Sequence, residues 1–280
     1  MGLEWPRASQ RLRDLGISAD EVFTQAPGHA TELAFAAVRD GVERVAVVGG
    51  DGTACEAAEG MYRAGGGVLG ILPLGTGNDA ARTLGIPHRL EDAARIALAG
   101  HARTVDLIRM GDRLVLNAIG VGFTADINRR AARLKKVRGI AAYLITAVAS
   151  LLFYRESAAR LRSPNGGYAG DMTILAVHNG PTTGGGFPLT PTADPGDGLL
   201  DVCLVPGVGP LGRVQRLAAA LRGRLGATPG AVVLRTPWVE LEFDRALPVH
   251  LDGNQSMIEP PLVRFEVVPA ALKVAVVAEG

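Results

Sequence analysis

Val45-Ala46-Val47-Val48-Gly49-Gly50-Asp51-Gly52-Thr53 is followed, one crossover later, by Val68-Leu69-Gly70-Ile71-Leu72-Pro73-Leu74-Gly75-Thr76-Gly77-Asn78-Asp79. Each half has a short apolar run bounded by glycines, the pattern of a buried strand, and each run stops at a Gly-rich turn. Thr53 followed by Glu56 predicts a capping box at the start of the first helix, and Ala80 to Leu84 continues as the second. The reading is βαβα. Strands joined by a crossover helix are parallel and the crossover is right-handed, so both turns should lie side by side at the carboxyl edge of one sheet. That brings Asp51 and Asp79 together. Backbone N–H groups at Gly-rich helix N-termini attract phosphate, whereas carboxylates in the same place repel it unless a divalent cation lies between. The combination asks for phosphate plus Mg²⁺.

Competing readings of these turns are weaker. Gly75-x-Gly77-x-x-Ala80 fits the dinucleotide fingerprint, but so does Gly120-x-Gly122-x-x-Ala125, so the pattern carries little weight. Neither turn contains the lysine of a Walker A loop. A dehydrogenase would place an acid at the end of the next strand, whereas Glu91 and Asp92 open a helical pattern. Two ordinary βα turns with helix-capping aspartates are the bland alternative.

Val-Val-Gly-Gly-Asp-Gly-Thr at 47 to 53 and Leu-Gly-Thr-Gly-Asn-Asp at 74 to 79, with Arg82 and Leu84-Gly85-Ile86-Pro87 behind, resemble the diacylglycerol kinase catalytic domain family. That family includes soluble bacterial lipid kinases and the sphingosine and ceramide kinases. The Gly-Gly-Asp-Gly core is shared with NAD kinases, and the second motif narrows the field to lipid kinases. The resemblance implies an ATP- and Mg²⁺-dependent transfer of the γ-phosphoryl group to a lipid hydroxyl, diacylglycerol or similar, in phospholipid metabolism. It assigns nucleotide contacts to Thr24, Gly49, Gly50, Gly52, Thr53, Glu56, Gly75, Thr76, Gly77 and Asn78. Asp51 and Asp79 would organise the catalytic Mg²⁺, with Asp106 behind them. In the family a first strand ending in an Asn-Pro-x-x-Gly turn precedes all this, and the present sequence begins after it.

The 280 residues are 48% hydrophobic with a net charge of +1, which gives no case for nucleic-acid binding. Cys55 and Cys203 stand in unrelated contexts, so neither a disulfide framework nor a zinc site is expected. No signal peptide is visible, and the apolar run Tyr143 to Tyr154 is too short to span a bilayer. These features predict a cytoplasmic protein, at most peripheral at the inner membrane face, with a homodimer left open.

Along the chain, Arg7 to Leu15 predicts a helix, Ile17 to Phe23 a strand reaching Thr24, and Thr31 to Val38 the next helix. After Gly100 the texture changes to strands. The predicted organisation is therefore an α/β nucleotide-binding domain over 1–102, of the NAD kinase and diacylglycerol kinase type and lacking its usual first strand, followed by an antiparallel β-sandwich acceptor domain over 103–280. Thr104 to Met110 and Arg113 to Ala118 flank a two-residue hairpin turn, Gly111-Asp112. Asp106 has a plain alternative as a charge at a strand edge.

Ala125 to Phe153 reads as helix, basic from Arg129 to Arg138 and apolar from Tyr143. A basic segment joined to an apolar one suits an enzyme reaching into an anionic bilayer, although a buried core helix explains the apolar half better. Sandwich strands are predicted at Met172–His178, Leu199–Val205, Val239–Phe243, Val249–Leu251, Leu262–Val268 and Lys273–Val277, with one helix at Leu211–Leu221. In the loop Pro191 to Asp201, Asp194 and Asp197 could offer hard oxygen ligands, with the Leu199 carbonyl completing the shell. The resemblance implies that this loop holds a structural Mg²⁺.

Asp252-Gly253-Asn254 stands where the family has Asp-Gly-Glu, the Glu being the general base on the lipid hydroxyl. An amide cannot accept that proton, and a general base contributes about 10² to 10⁴ in rate. Phosphoryl transfer leans mainly on positioning and charge neutralisation, so Asn254 predicts a slowed enzyme, with Asp51 available to take the proton. Two alternatives stand beside this reading: a non-catalytic lipid- or nucleotide-binding descendant, and a kinase of a soluble hydroxyl such as that of NAD.

Overall fold

The computed structural model describes residues 5–133, 150 and 153–278. Two helices, α1 (Trp5–Asp14) and α2 (His29–Arg39), precede β1 (Arg44–Gly49), α3 (Asp51–Ala64), β2 (Val68–Pro73), α4 (Asp79–Thr83) and α5 (Leu90–Ala99). β1 and β2 pair in parallel, Val45 opposite Leu69 and Gly49 opposite Pro73. Two small-residue contacts let the helices close on this sheet. A side chain at Gly60 would begin 2.2 Å from the Thr31 carbonyl oxygen of α2, and one at Gly70 would begin 2.5 Å from Ala97 of α5.

Next come β3 (His101–Met110), β4 (Arg113–Val115), β5 (Ala118–Gly122), α6 (Phe123–Arg133), β6 (Ser157–Ser163), β7 (Gly166–His178), β8 (Leu200–Pro206) and α7 (Pro210–Leu221). The chain closes with β9 (Val232–Thr236), β10 (Trp238–Phe243), β11 (Leu247–Leu251), β12 (Asn254–Ile258) and β13 (Leu262–Val276). Hydrogen bonds link all thirteen strands into one network, in the order β1-β2-β13-β10-β6-β7-β5-β11-β12, with β3 and β4 on β13 and β8 and β9 on β7. The result is a parallel N-terminal α/β unit followed by an antiparallel, sandwich-like unit. β13 joins them. It runs parallel to β2 at Lys273 and Val274 and antiparallel to both β3 and β10.

Burial follows the same plan. One core gathers Ala54, Ala57, Met61, Leu69 and Ile71 with Val105, Leu107, Leu272, Val274 and Val276. A second fills the sandwich around Ile119, Leu161, Leu175, Leu241 and Phe265. A third lies outside the sheet, where Phe123, Ile127, Tyr154, Ile174, Leu189, Ala220 and Leu225 meet under α6 and α7.

Several expectations are corrected. Ile17 to Phe23 is not a strand: it has no ladder partner, and Val22 and Phe23 are 71% and 65% exposed. β-branched residues make a strand only where another strand accepts their N–H groups. The capping box does not form either, because the helix starts at Asp51 with Gly50 as its cap residue and no side-chain cap hydrogen bond. The strands predicted at Leu262–Val268 and Lys273–Val277 are one strand carrying a bulge between Val268 and Leu272. β5, β6, β9 and β12 are not among the predicted strands, and the strand predicted over Arg113 to Ala118 ends at Val115. The hairpin at Gly111-Asp112 forms as expected, Met110 pairing with Arg113. Lys135, Lys136, Arg138 and the apolar run from Tyr143 to Ala149 lie outside the described residues.

Candidate active site

The two Gly-rich turns touch backbone to backbone. A side chain at Gly75 would begin 2.3 Å from the Gly50 Cα, so glycine is required for this approach. Asn78 builds the second turn. It is left-handed at φ 53°, its Oδ1 accepts the Gly75 N–H at 2.9 Å, and its Nδ2 donates to the Gly75 and Pro73 carbonyls. Its side chain is therefore spent on the loop. Asp51 reaches from the first turn to the second, where Oδ1 accepts the Ala80 N–H at 2.9 Å at the start of α4. Burial pushes its carboxyl up, and Asp79 nearby adds to the rise, against the lowering hydrogen bond from Ala80. Asp51 Oδ2 and Asp79 Oδ2 flank Gly77, 2.8 and 3.3 Å from where a side chain would begin.

A third glycine turn closes over Asp79. Gly184, Gly185 and Gly186 all take positive φ, a run that only glycine adopts at low cost. Gly185 N–H donates to Asp79 Oδ2 at 2.7 Å and Gly186 N–H to Oδ1 at 2.8 Å, while Thr182 and Arg82 also donate to Oδ1. The buried Asp79 carboxylate thus pins the β7–β8 loop against α4.

The fourth wall comes from the far end of the chain. β11 and β12 are joined by Asp252-Gly253, both at positive φ (45° and 87°), a tight two-residue hairpin. The Asp252 carboxylate accepts three backbone N–H bonds, from Leu116 and Asn117 at Oδ2 and from Ala118 at Oδ1, at 2.7 to 2.9 Å. Full burial nonetheless pushes its carboxyl up to about 7, with Asp51 contributing. The hairpin sets Asn254 over the first turn, its Nδ2 donating to the Gly52 carbonyl at 3.4 Å. Beneath lie two buried imidazoles. His250 packs against Gly120, and His178 Nδ1 lies 2.8 Å from the Thr190 hydroxyl. Burial lowers His178 to about 3 and His250 to about 4, so both are neutral near pH 7.

Sequence profiles match in tandem: the diacylglycerol kinase catalytic domain over residues 2–110 and the YegS C-terminal NAD kinase beta sandwich-like domain over 117–276. A protein named "Probable lipid kinase YegS-like" from Pseudomonas putida KT2440 is 38% identical over 264 residues, covering 93% of this chain and 86% of its own length. The chain belongs to the diacylglycerol kinase-like lipid kinase family. A relative of the same name from Chromohalobacter salexigens is 35% identical over 269 residues, covering 95% and 86%. A crystal structure of a diacylglycerol kinase from Bacillus anthracis str. Sterne superposes with a TM-score of 0.69 at 21% identity, covering 91% of this chain and 84% of that one. That likeness concerns the fold alone.

Within this lipid kinase fold the residues singled out from the sequence separate into two groups. Asp51, Asp79, Asn254 and the glycines at 49, 50, 52, 75 and 77 converge. Thr76 stands exposed at the tip of the second turn, Thr53 lies under Gly49, and Glu56 is half-buried one turn along α3. Thr24 does not join them. It is exposed on the irregular segment before α2. Asp106 is buried elsewhere, its oxygens accepting the Gly198 N–H at 2.8 Å and the Ala270 N–H at 2.7 Å. It ties the β7–β8 loop to the bulge of β13, and none of its hydrogen bonds reaches Asp51 or Asp79.

Asp194 is bonded to Arg103 at 2.8 Å and Asp197 pairs with Arg235, while the Leu199 N–H donates to Asp197 at 2.9 Å. With the two carboxylates turned to different arginines, Arg103 and Arg235, this loop does not fit a cation site as arranged. Among the described residues no group of three or more acidic, His or Cys side chains is gathered for a metal. At Gly77 the fit is better, because two carboxylate oxygens face one small gap and the Asp79 charge adds to the cost of ionising Asp51. Asp252 and the triple-glycine turn were the parts missed. The Asp-Gly dipeptide between apolar runs was the available signal for the hairpin.

Proposed function

We propose that this chain transfers the γ-phosphoryl group of ATP to a lipid hydroxyl, diacylglycerol or a similar acceptor. The observation that carries the reading is the packing of Asp51 between two glycine turns, with Asn254 brought over the same turn from the end of the sandwich. The free hydroxyl of Thr76 and the backbone of Gly49 to Thr53 would hold phosphate oxygens. A Mg²⁺ held by Asp51 and Asp79 would neutralise charge building on the transferred group. Asn254 would orient the acceptor hydroxyl, and Asp51 would take its proton late in a loose transition state. No helix among the described residues is long and apolar enough to cross a membrane. A lipid acceptor would be met at a bilayer surface or in dispersed form.

The decisive experiment follows labelled γ-phosphate from Mg-ATP into a mixed lipid extract, comparing the natural protein, Asp51→Ala and Asn254→Glu. Label lost in the first variant and increased in the second supports a lipid kinase with a weakened base, and chromatography of the product names the acceptor. Asn254 also favours a second reading, a lipid- or nucleotide-binding protein without transfer. No label from the natural protein or from Asn254→Glu, together with a thermal shift by lipid but not by Mg-ATP, would select it. Label on NAD in the absence of lipid would instead move the acceptor to a soluble hydroxyl.

A further inference from the structure

The amphipathic pattern of α7 is inside out. Its buried side carries Arg213 and Arg216, only 6% and 9% exposed, with Ala220. Its outer side carries Leu211, Val214 and Leu221, which are 74%, 48% and 60% exposed. At about 100° per residue Leu211, Val214, Ala218, Leu221 and Arg222 fall in one stripe about 100° wide. A surface helix ordinarily shows the opposite pattern. The inward arginines are accommodated. Arg213 pairs with Glu156 at 3.1 Å and lies over the Tyr154 ring, and Arg216 donates to the Pro229 carbonyl at 2.8 Å. The outward leucines have nothing comparable.

The surroundings of this stripe specify what covers it. Val233, 54% exposed, sits against Gly226 just beyond the helix. Arg222 and Arg224 follow at the C-terminal end, neither paired with a carboxylate among the described residues. From Asp201 to Glu240 the sequence contains no intervening acidic residue. Apolar side chains on a short helix with two cations at its C-terminal end have the composition of an interfacial helix lying on an anionic bilayer, and of the acids at its N-terminal approach, Glu156 and Asp171, the first is spent on Arg213 and the Val208 N–H. A protein partner is less well matched, since four apolar side chains fall far short of the about 800 Å² per side of a stable interface.

We infer that the outer face of α7, with Val233, Arg222 and Arg224, docks on an anionic lipid bilayer. The inference rests on the lipid kinase reading for its purpose but not for its evidence. The position suits that purpose. A side chain at Gly223 would begin 3.1 Å from Pro188, while Leu189 shares a core with Ala220 and Leu225. The same loop supplies the Gly185 and Gly186 N–H groups that hold Asp79. α7 is thus tied through its inner side to the loop that holds Asp79.

Co-sedimentation of the full chain with vesicles tests this, without nucleotide, using phosphatidylglycerol–phosphatidylcholine mixtures and pure phosphatidylcholine. The natural protein should bind the anionic vesicles at least tenfold better. Leu211→Gln, Val214→Gln and Leu221→Gln combined should lower that binding roughly a hundredfold, the scale expected from three lost apolar insertions. Arg222→Glu with Arg224→Glu should erase the preference for anionic lipid. Transfer to a short-chain, monomerically dispersed acceptor should be unchanged in the triple variant, so vesicle binding and kinase activity fail independently. Natural-level binding by the triple variant would overturn the inference, as would no binding by the natural protein. A natural dimer that the triple variant converts to a monomer would overturn it too, reassigning the face to self-association.

Discussion

The Asp51–Asp79 pair and the Asp194–Asp197 pair both sit in glycine-rich turns, and in the sequence they look equally ready for a cation. In the first pair, backbone N–H groups from neighbouring turns orient the carboxylates, and oxygens of both flank Gly77. In the second, each carboxylate is on an arginine at the surface, and the Asp194 side chain is 55% exposed. Spacing alone does not distinguish them. Their placement does: Asp79 is also paired with an arginine, Arg82 at 2.7 Å, but oxygens of Asp51 and Asp79 face one gap at Gly77, whereas Asp194 and Asp197 are each turned to a different arginine.

The largest effect expected from this contrast is at Asp51. Asp51→Ala should reduce transfer by at least about 10³-fold with little change in Tm, since its half-buried side chain serves the cleft more than the core. Full activity in that variant would break the comparison at its root. Gly77→Ala sharpens it. A methyl there meets both carboxylates, so activity should fall about 10²-fold and Mg²⁺ titration by calorimetry should weaken, without the strain of a positive φ. Unchanged Mg²⁺ affinity would place the cation elsewhere.

Asp252→Asn should cost about 1–3 kcal/mol in denaturant unfolding, because an amide presents N–H where backbone N–H groups already point. It should also change the pH dependence. A carboxyl raised from 3.8 to about 7 gives stability that is present at low pH and lost as pH rises through about 7. The two histidines act oppositely: lowered from 6.5, they give stability present at neutral pH and lost as pH falls toward 4. Removing Asp252 removes the opposing slope, so stability of the variant should fall more steeply than the natural protein's from pH 6.5 to 4. An identical slope would mean that Asp252 is ionised throughout. Smallest of all, Asp194→Ala and Asp197→Ala should each cost about 0–1 kcal/mol and leave activity alone, as exposed ion pairs do. A Mg²⁺-dependent rise in Tm that either substitution abolishes would restore the cation reading of that loop.

Much of this was legible from local pattern. Two apolar runs with glycine turns are enough to specify parallel strands and to bring Asp51 to Asp79, because crossover geometry leaves few choices. What escaped depends on distant partners. Ile17 to Phe23 has strand composition but no neighbouring strand. Thr53 was outcompeted as a helix start because Gly50 packs on Gly75 and the helix begins from that contact. Asp106 reads as a charge interrupting a strand, and its role becomes visible only once Ala270, far along the chain, turns to φ 50° in the bulge and offers its N–H. The inverted face of α7 was hidden for the same reason, since periodicity gives a stripe without saying which side faces the sheet.

β13 gives the protein an order of assembly in time. The N-terminal core includes Leu272, Val274 and Val276, and β2 has only the edge strand β1 for a neighbour until Lys273 and Val274 arrive. On a ribosome the first hundred residues emerge long before those last ones. We expect the N-terminal half to stay protease-sensitive in nascent chains stalled before residue 262 and to become resistant only after release. Resistance in the stalled chains would show that β1, β2 and their helices hold together without the final strand.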